Sequence, residues 1–194
     1  RNSVVVTCGA IVLLKLMPVV APLSPLATHV LLVVGSISAL GGALVALAQV
    51  DLKRAFSYGT TSYLGLVFIA IGLQKPGIAL LLLFAHGLAR ALQFMGVGSI
   101  IATLMAFVIG GAGVTGLLPL GCFWCFGLML NTLLPDHPLL AAVYLLTNAL
   151  TCANVIRVLR SVFAGPPLPK TRRTPECNWL MALPMVSLTV LVLL

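Results

Sequence analysis

Acidic residues are almost missing from this chain. Its 194 residues include three, Asp51, Asp136 and Glu176, against eleven Lys and Arg. Charged side chains make up 7% of the sequence, where a soluble domain carries about 25%. So few charges cannot cover a surface in water, and with a mean hydropathy of +1.19 lipid must solvate much of the chain. Cofactor motifs are missing too. There is no phosphate-binding glycine loop, dinucleotide fingerprint, CxxCH haem motif or iron–sulfur spacing, so no redox cofactor is expected in this chain. Basic stretches with interleaved aromatics are absent, which argues against a nucleic-acid partner. The five cysteines are odd in number and scattered through apolar segments, unlike a disulfide framework. Cys122 and Cys125 form a CxxC with no second pair and no nearby His, so helix packing is favoured over metal or redox chemistry. The first residue is Arg1, inside an apolar run and without a signal or transit peptide, which points to a fragment of a longer protein.

What is present is a series of long apolar runs. A spanning helix needs roughly 20 such residues. Seven segments qualify or nearly do: 4–20, 26–48, 55–73, 77–103, 104–130, 139–163 and 180–194. Polar or proline-bearing punctuation separates most of them, at Pro22 and Pro25, 51–54, 74–76, 135–138 and 165–178. The expected fold is an all-α membrane protein, one transmembrane helix bundle of about seven helices over 1–194. One boundary is poor. No charged residue occurs between Arg90 and Asn131, yet two spans need a polar turn between them. Either the turn is very short or a loop is missing near 101–106. Orientation follows from the basic residues. Lys53, Arg54, Arg157, Arg160, Lys170, Arg172 and Arg173 fall on one side, and only Lys15 and Lys75 on the other. The first side is expected to be cytoplasmic, stromal or matrix.

Ionisable groups at membrane depth are costly and mark function by default. His86 and Arg90 are four residues apart and share a helix face. His86 is suited to proton transfer near neutrality, or it is a histidine satisfied by hydrogen bonds between helices. Arg90 stays charged, so it can hold a water chain, pair with a carboxylate or set a local field; snorkelling is less favoured that far from a helix end. Asp51, Lys53 and Arg54 read from chemistry alone as a solvated turn obeying the positive-inside rule. Arg1 opens the first segment. Gly116, Pro119 and Gly121 interrupt the fifth segment; a broken helix lining a cavity and an ordinary proline kink stand equally open.

The run from Leu47 to Gly65, LAQVDLKRAFSYGTTSYLG, resembles a signature of the antiporter-like subunits of complex I, Q-x-D-I-K-R-x-L-A-Y-S-T-x-S-Q-x-G. The run from His86 to Ile101, HGLARALQFMGVGSII, resembles that family's H-A-F-F-K-A-L-L-F-L-x-x-G-S-I-I. The resemblance covers nearly the whole chain and weakens after about Leu130. It implies an antiporter-like bundle, the second of two inverted repeats, with one broken helix at 116–121. It implies a proton pathway in which Lys53 and His86 match relay residues and Arg90 stands in place of a central lysine. Asp51 belongs to the matching turn, and Arg1 lies near a position that often holds a histidine. Phe126, after Phe123-Trp124-Cys125, stands where the family has a terminal relay lysine. The family's first repeat and its polar loop after G-S-I-I are absent. These departures are similar to those expected of cyanobacterial F-type variants that serve carbon dioxide uptake. The resemblance then implies quinone and iron–sulfur clusters elsewhere in the complex, none in this chain. Expected partners are lipids, other membrane subunits including a neighbouring antiporter-like one, and a cytoplasmic zinc-bearing carbon dioxide hydration protein. The expected location is the thylakoid membrane. An ordinary respiratory or chloroplast proton-pumping subunit, a stand-alone cation/proton antiporter and a closed structural scaffold are the competing readings.

Overall fold

The computed structural model describes residues 7–95, 102–116, 121–164 and 179–193. Arg1, Pro119 and the 165–178 loop lie outside them, as does most of the poor boundary after Met95. Eight helices make up the described residues: α1 Thr7–Leu23, α2 Pro25–Ala48, α3 Leu52–Gly72, α4 Pro76–Met95, α5 Ala102–Thr115, α6 Gly121–Asp136, α7 Pro138–Phe163 and α8 Trp179–Leu193. Each expected segment is helical over most of its described residues, and the described part of the fifth is two helices.

Local chemistry sets the boundaries. Pro25 and Pro138 occupy the first turns of α2 and α7, where a missing N–H costs nothing. Asp51 caps α3, its carboxylate accepting the Lys53 backbone N–H at 3.0 Å and lying 3.8 Å from Arg54 Nε. α2, α3, α4 and α7 are each long and apolar enough to cross a membrane.

Contacts between helices fix their directions. Along α2 and α3, Gly42 meets Ser62, Gly35 meets Gly65, and Leu32 meets Gly72, so the pair is antiparallel. Small residues let these backbones touch, and Ser62 Oγ donates to the Ala39 carbonyl at 2.7 Å. Tyr63 against His86 and Phe56 against Phe94 make α3 and α4 antiparallel in turn. α7 pairs with α5 and α6 as though they were one span. Phe163 meets Phe107, Val155 meets Gly111, Asn148 meets Thr115, and Tyr144 meets Phe126. The end of α5 at Thr115 therefore lies level with Asn148, near the middle of α7. Gly116 turns the chain there with φ +65°, a conformation glycine adopts without steric cost.

α3 is the most enclosed span, packed by α1, α2, α4 and α7. Large apolar side chains on α1, α2, α7 and α8, such as Val33, Ile37, Leu146 and Val186, face outward. That is the arrangement for a bundle whose solvent is lipid or neighbouring apolar helices.

Candidate functional site

The described interior holds a row of polar side chains on one face of α4. His86, Arg90 and Gln93 follow at helical spacing, with 3%, 2% and 0% exposure. The His86 ring stacks on Tyr63 of α3, with centroids 3.9 Å apart and 17° between planes. Neither His86 ring nitrogen has a hydrogen-bond partner among the described residues. A buried polar group in that state costs about 1–3 kcal/mol. The arrangement argues against a histidine satisfied by hydrogen bonds to the described neighbouring helices.

One turn along α4, Arg90 Nη1 donates to Gln93 Oε1 at 2.8 Å. The guanidinium carbon sits 5.4 Å from the Phe56 ring centre, a cation–π geometry. A Cβ at Gly59 would fall 2.5 Å from Arg90 Nη2, so the absent side chain of Gly59 is what admits the guanidinium. Among the described residues Arg90 Nε and Gln93 Nε2 have no hydrogen-bond partner. No carboxylate reaches this charge among the described residues. Asp51 and Asp136 are both exposed at helix ends, and the Arg54–Asp51 contact is the ion pair found there.

Toward the interruption, Tyr63 Oη lies 3.6 Å from Cys122 Sγ in the first turn of α6. Asn148 Nδ2 donates to the Thr115 carbonyl at 3.2 Å, and so satisfies one of the carbonyls orphaned where α5 stops. A small cavity with room for about one water is lined by Tyr63, Gly116, Cys122, Tyr144 and Asn148, among others. Toward the basic side, Phe56, Phe94, Phe107 and Phe163 interlock, one ring from each of α3, α4, α5 and α7, with centroids 5.3–6.0 Å apart. On α7, inward of Phe163, Arg157 Nη2 donates to the Ala46 carbonyl at 3.1 Å and to Asn154 Oδ1 at 3.2 Å, tying α7 to the last turn of α2.

The candidates from sequence thus separate into three groups. His86 and Arg90 come together in the core beside the interruption, where Gly116 and Gly121 stand. Lys53 and Asp51 are exposed in the first turn of α3, on the far side of the aromatic cluster from Arg90. Arg1 and Pro119 lie outside the described residues. Phe126, in place of the family's lysine, packs on Tyr144 at 5.3 Å. Tyr63, Gln93, Gly59 and Asn148 were not singled out from sequence. Gln93 could have been, since it lies three residues from Arg90 and seven from His86 on the same face. Tyr63 needed the α3–α4 register. Among the described residues no group of three or more His, Cys, Asp or Glu could hold a metal ion.

Comparison with known proteins agrees with this geometry. Residues 2–165 match the family model described as NADH:quinone oxidoreductase/Mrp antiporter, transmembrane. The chain is 56% identical to NAD(P)H-quinone oxidoreductase subunit 5, organellar chromatophore 2, of Paulinella chromatophora, over all of this chain and 34% of that protein. It is 30% identical to the chloroplastic subunit 5 of Citrus sinensis, over 84% of this chain and 26% of that protein. The chain thus spans about a third or less of these relatives. Among solved structures, a chain of the Mrp complex from Dietzia sp. superposes with a TM-score of 0.75 at 16% identity, covering 86% of this chain and 43% of that one; this is a likeness of fold. A helix bundle with an interrupted span, a buried His–Arg row and a family match over most of its length place this chain in the NADH:quinone oxidoreductase/Mrp antiporter transmembrane family.

Proposed function

We propose that this chain is the proton-conducting part of an antiporter-like subunit in a photosynthetic complex I, a ferredoxin- or NAD(P)H-plastoquinone oxidoreductase of the thylakoid membrane. Its role there is to couple electron flow to removal of the proton released when carbon dioxide is hydrated during uptake. The observation that carries the reading is His86, buried, stacked on Tyr63 and, among the described residues, unpartnered at both ring nitrogens, next to the interrupted span. His86 takes a proton on one nitrogen and releases one from the other, so the ring returns to neutrality. Tyr63 holds the ring plane. Arg90 supplies a charge that does not titrate in the working range. Lys53 and Asp51 form the basic-side mouth, and Arg1 belongs to the same path. Gly116, Pro119 and Gly121 form the interruption that admits water.

Electron-transfer groups, quinone and iron–sulfur clusters, belong to other subunits. Partners are those membrane subunits, a neighbouring antiporter-like subunit and a zinc-bearing hydration protein on the basic side. The chromatophore and chloroplast origin of the similar subunits supports a photosynthetic membrane. We also infer a segment omitted between α4 and α5. The alignment with the Paulinella protein runs over 213 positions against 194 residues, so this chain carries gaps relative to it.

The subtype is tested by purifying the complex and measuring carbon dioxide uptake in His86→Ala and Lys53→Ala strains. The proposal expects plastoquinone-reducing subunits and a zinc-bearing partner in the preparation, with uptake lost in both strains. Normal uptake in an assembled His86→Ala complex refutes the role of His86. A preparation lacking quinone-linked subunits selects a separate cation/proton antiporter.

A further inference from the structure

The Arg90 surroundings hold a charge without neutralising it. Its contacts among the described residues include a neutral amide, an aromatic face and a glycine: Gln93 Oε1 at 2.8 Å, the Phe56 ring at 5.4 Å, and the space at Gly59 that a Cβ would fill. Phe56, Gly59, Arg90 and Gln93 are all buried. A buried arginine ordinarily meets a carboxylate, and among the described residues none is near. The cation–π contact and the amide stabilise the guanidinium while leaving its full positive charge in place.

We propose that Phe56, Gly59 and Gln93 are positioning residues that hold Arg90 as a fixed, uncompensated positive charge, and that this charge excludes metal cations from the path so that protons alone pass. The inference rests on the proposed proton path through His86. One turn separates the two residues on α4, a rise of ~6 Å. At that distance and an effective dielectric of about 20, repulsion between unit charges lowers the occupancy of a cation roughly a hundredfold. A proton overcomes this because it forms a covalent N–H bond at one ring nitrogen while the N–H at the other breaks, so no net charge stays on the ring. Sodium has no such bond to gain. It needs a shell of oxygen ligands in place of its water, and no buried carboxylate among the described residues offsets the repulsion. A fixed arginine acting as an electrostatic barrier is a known device for excluding cations from pores.

The test uses vesicles holding the assembled complex with the full-length subunit. Proton translocation and radioactive sodium uptake are measured together during electron flow. Arg90→Gln removes the charge. Gln93→Glu keeps the shape and the hydrogen bond but adds a counter-charge. Arg90→Lys keeps the charge and loses the fork. Sodium uptake is expected to rise by about tenfold or more in Arg90→Gln and in Gln93→Glu, and to stay at the wild-type level in Arg90→Lys. Wild-type sodium exclusion in both Arg90→Gln and Gln93→Glu, with proton translocation persisting, overturns the inference. So does a sodium leak in Arg90→Lys equal to that in Arg90→Gln, which makes the role one of packing. A wild-type complex that moves no protons instead refutes the proposed function.

Discussion

Replacing Gly65 with Ala tests the helix contact on which the site depends. Gly65 faces α2, and a Cβ there would lie 2.5 Å from Ala39 N and 2.6 Å from Gly35 O. Both are backbone atoms of a helix, so no flexible side chain can swing away. α2 and α3 must separate or rotate, and overpacking of that kind costs about 1–3 kcal/mol. The movement also stretches the Ser62 hydroxyl bond to Ala39, worth about 0.6 kcal/mol between membrane helices. Alanine favours a helix over glycine by about 1 kcal/mol, which offsets part of the loss. The net destabilisation is about 0.6–2.6 kcal/mol, toward the upper end because the clash is with backbone. Gly41→Ala is the matched control, since nothing lies within 4 Å of a Cβ at that α2 position; there the helix preference acts alone. The assay is the apparent unfolding temperature and abundance of the assembled complex. Gly65→Ala is expected to lower both and Gly41→Ala to leave them unchanged or slightly raised. Equal behaviour of the two variants would refute the close α2–α3 approach, and with it the seat of α3 against α2.

Other perturbations separate the parts of the site. Phe107→Ala removes the ring that stacks on Phe56 and touches Phe163, and is expected to cost about 3–5 kcal/mol, read as a lower unfolding temperature with Phe107→Leu far milder. Asn148→Leu leaves the Thr115 carbonyl at the interruption without its donor, a loss of about 1–3 kcal/mol, visible as faster amide exchange in the residues ending α5. Asp51→Ala removes the α3 cap and is expected to cost about 1 kcal/mol, whereas Asp51→Asn keeps an acceptor and stays near wild type in the same melting assay.

How far the sequence reaches into this structure depends on the range of the cause. The spans are legible because apolar length is a local property. The breaks at Pro25, Asp51–Arg54 and Pro138 are legible for the same reason. The fifth segment carries its own warning in Gly116, Pro119 and Gly121, and the structure has separate helices on either side of 116–121. The residues about His86 and Arg90 are only half visible. Helical spacing places His86, Arg90 and Gln93 on one face, but Gln93 carries no charge and so draws no notice in a search for ionisable groups. Tyr63, Gly59 and Asn148 depend on how far one helix slides along another. That register is set by glycine and serine contacts, which leave no periodic signal. Lys53 shows the converse: its place in a family motif suggests the path, whereas its place in the first turn of α3 gives it an exposed side chain outside the aromatic cluster.

The central claim is that His86 carries the proton. Its most direct test is the proton-to-electron ratio of vesicles holding the assembled complex with His86→Gln, read with a pH-indicator dye during quinone reduction. Glutamine keeps a polar side chain of similar reach but cannot exchange a ring proton. The account predicts a lower ratio at unchanged subunit composition and quinone reduction supported by an uncoupler. An unaltered ratio in that variant would contradict it.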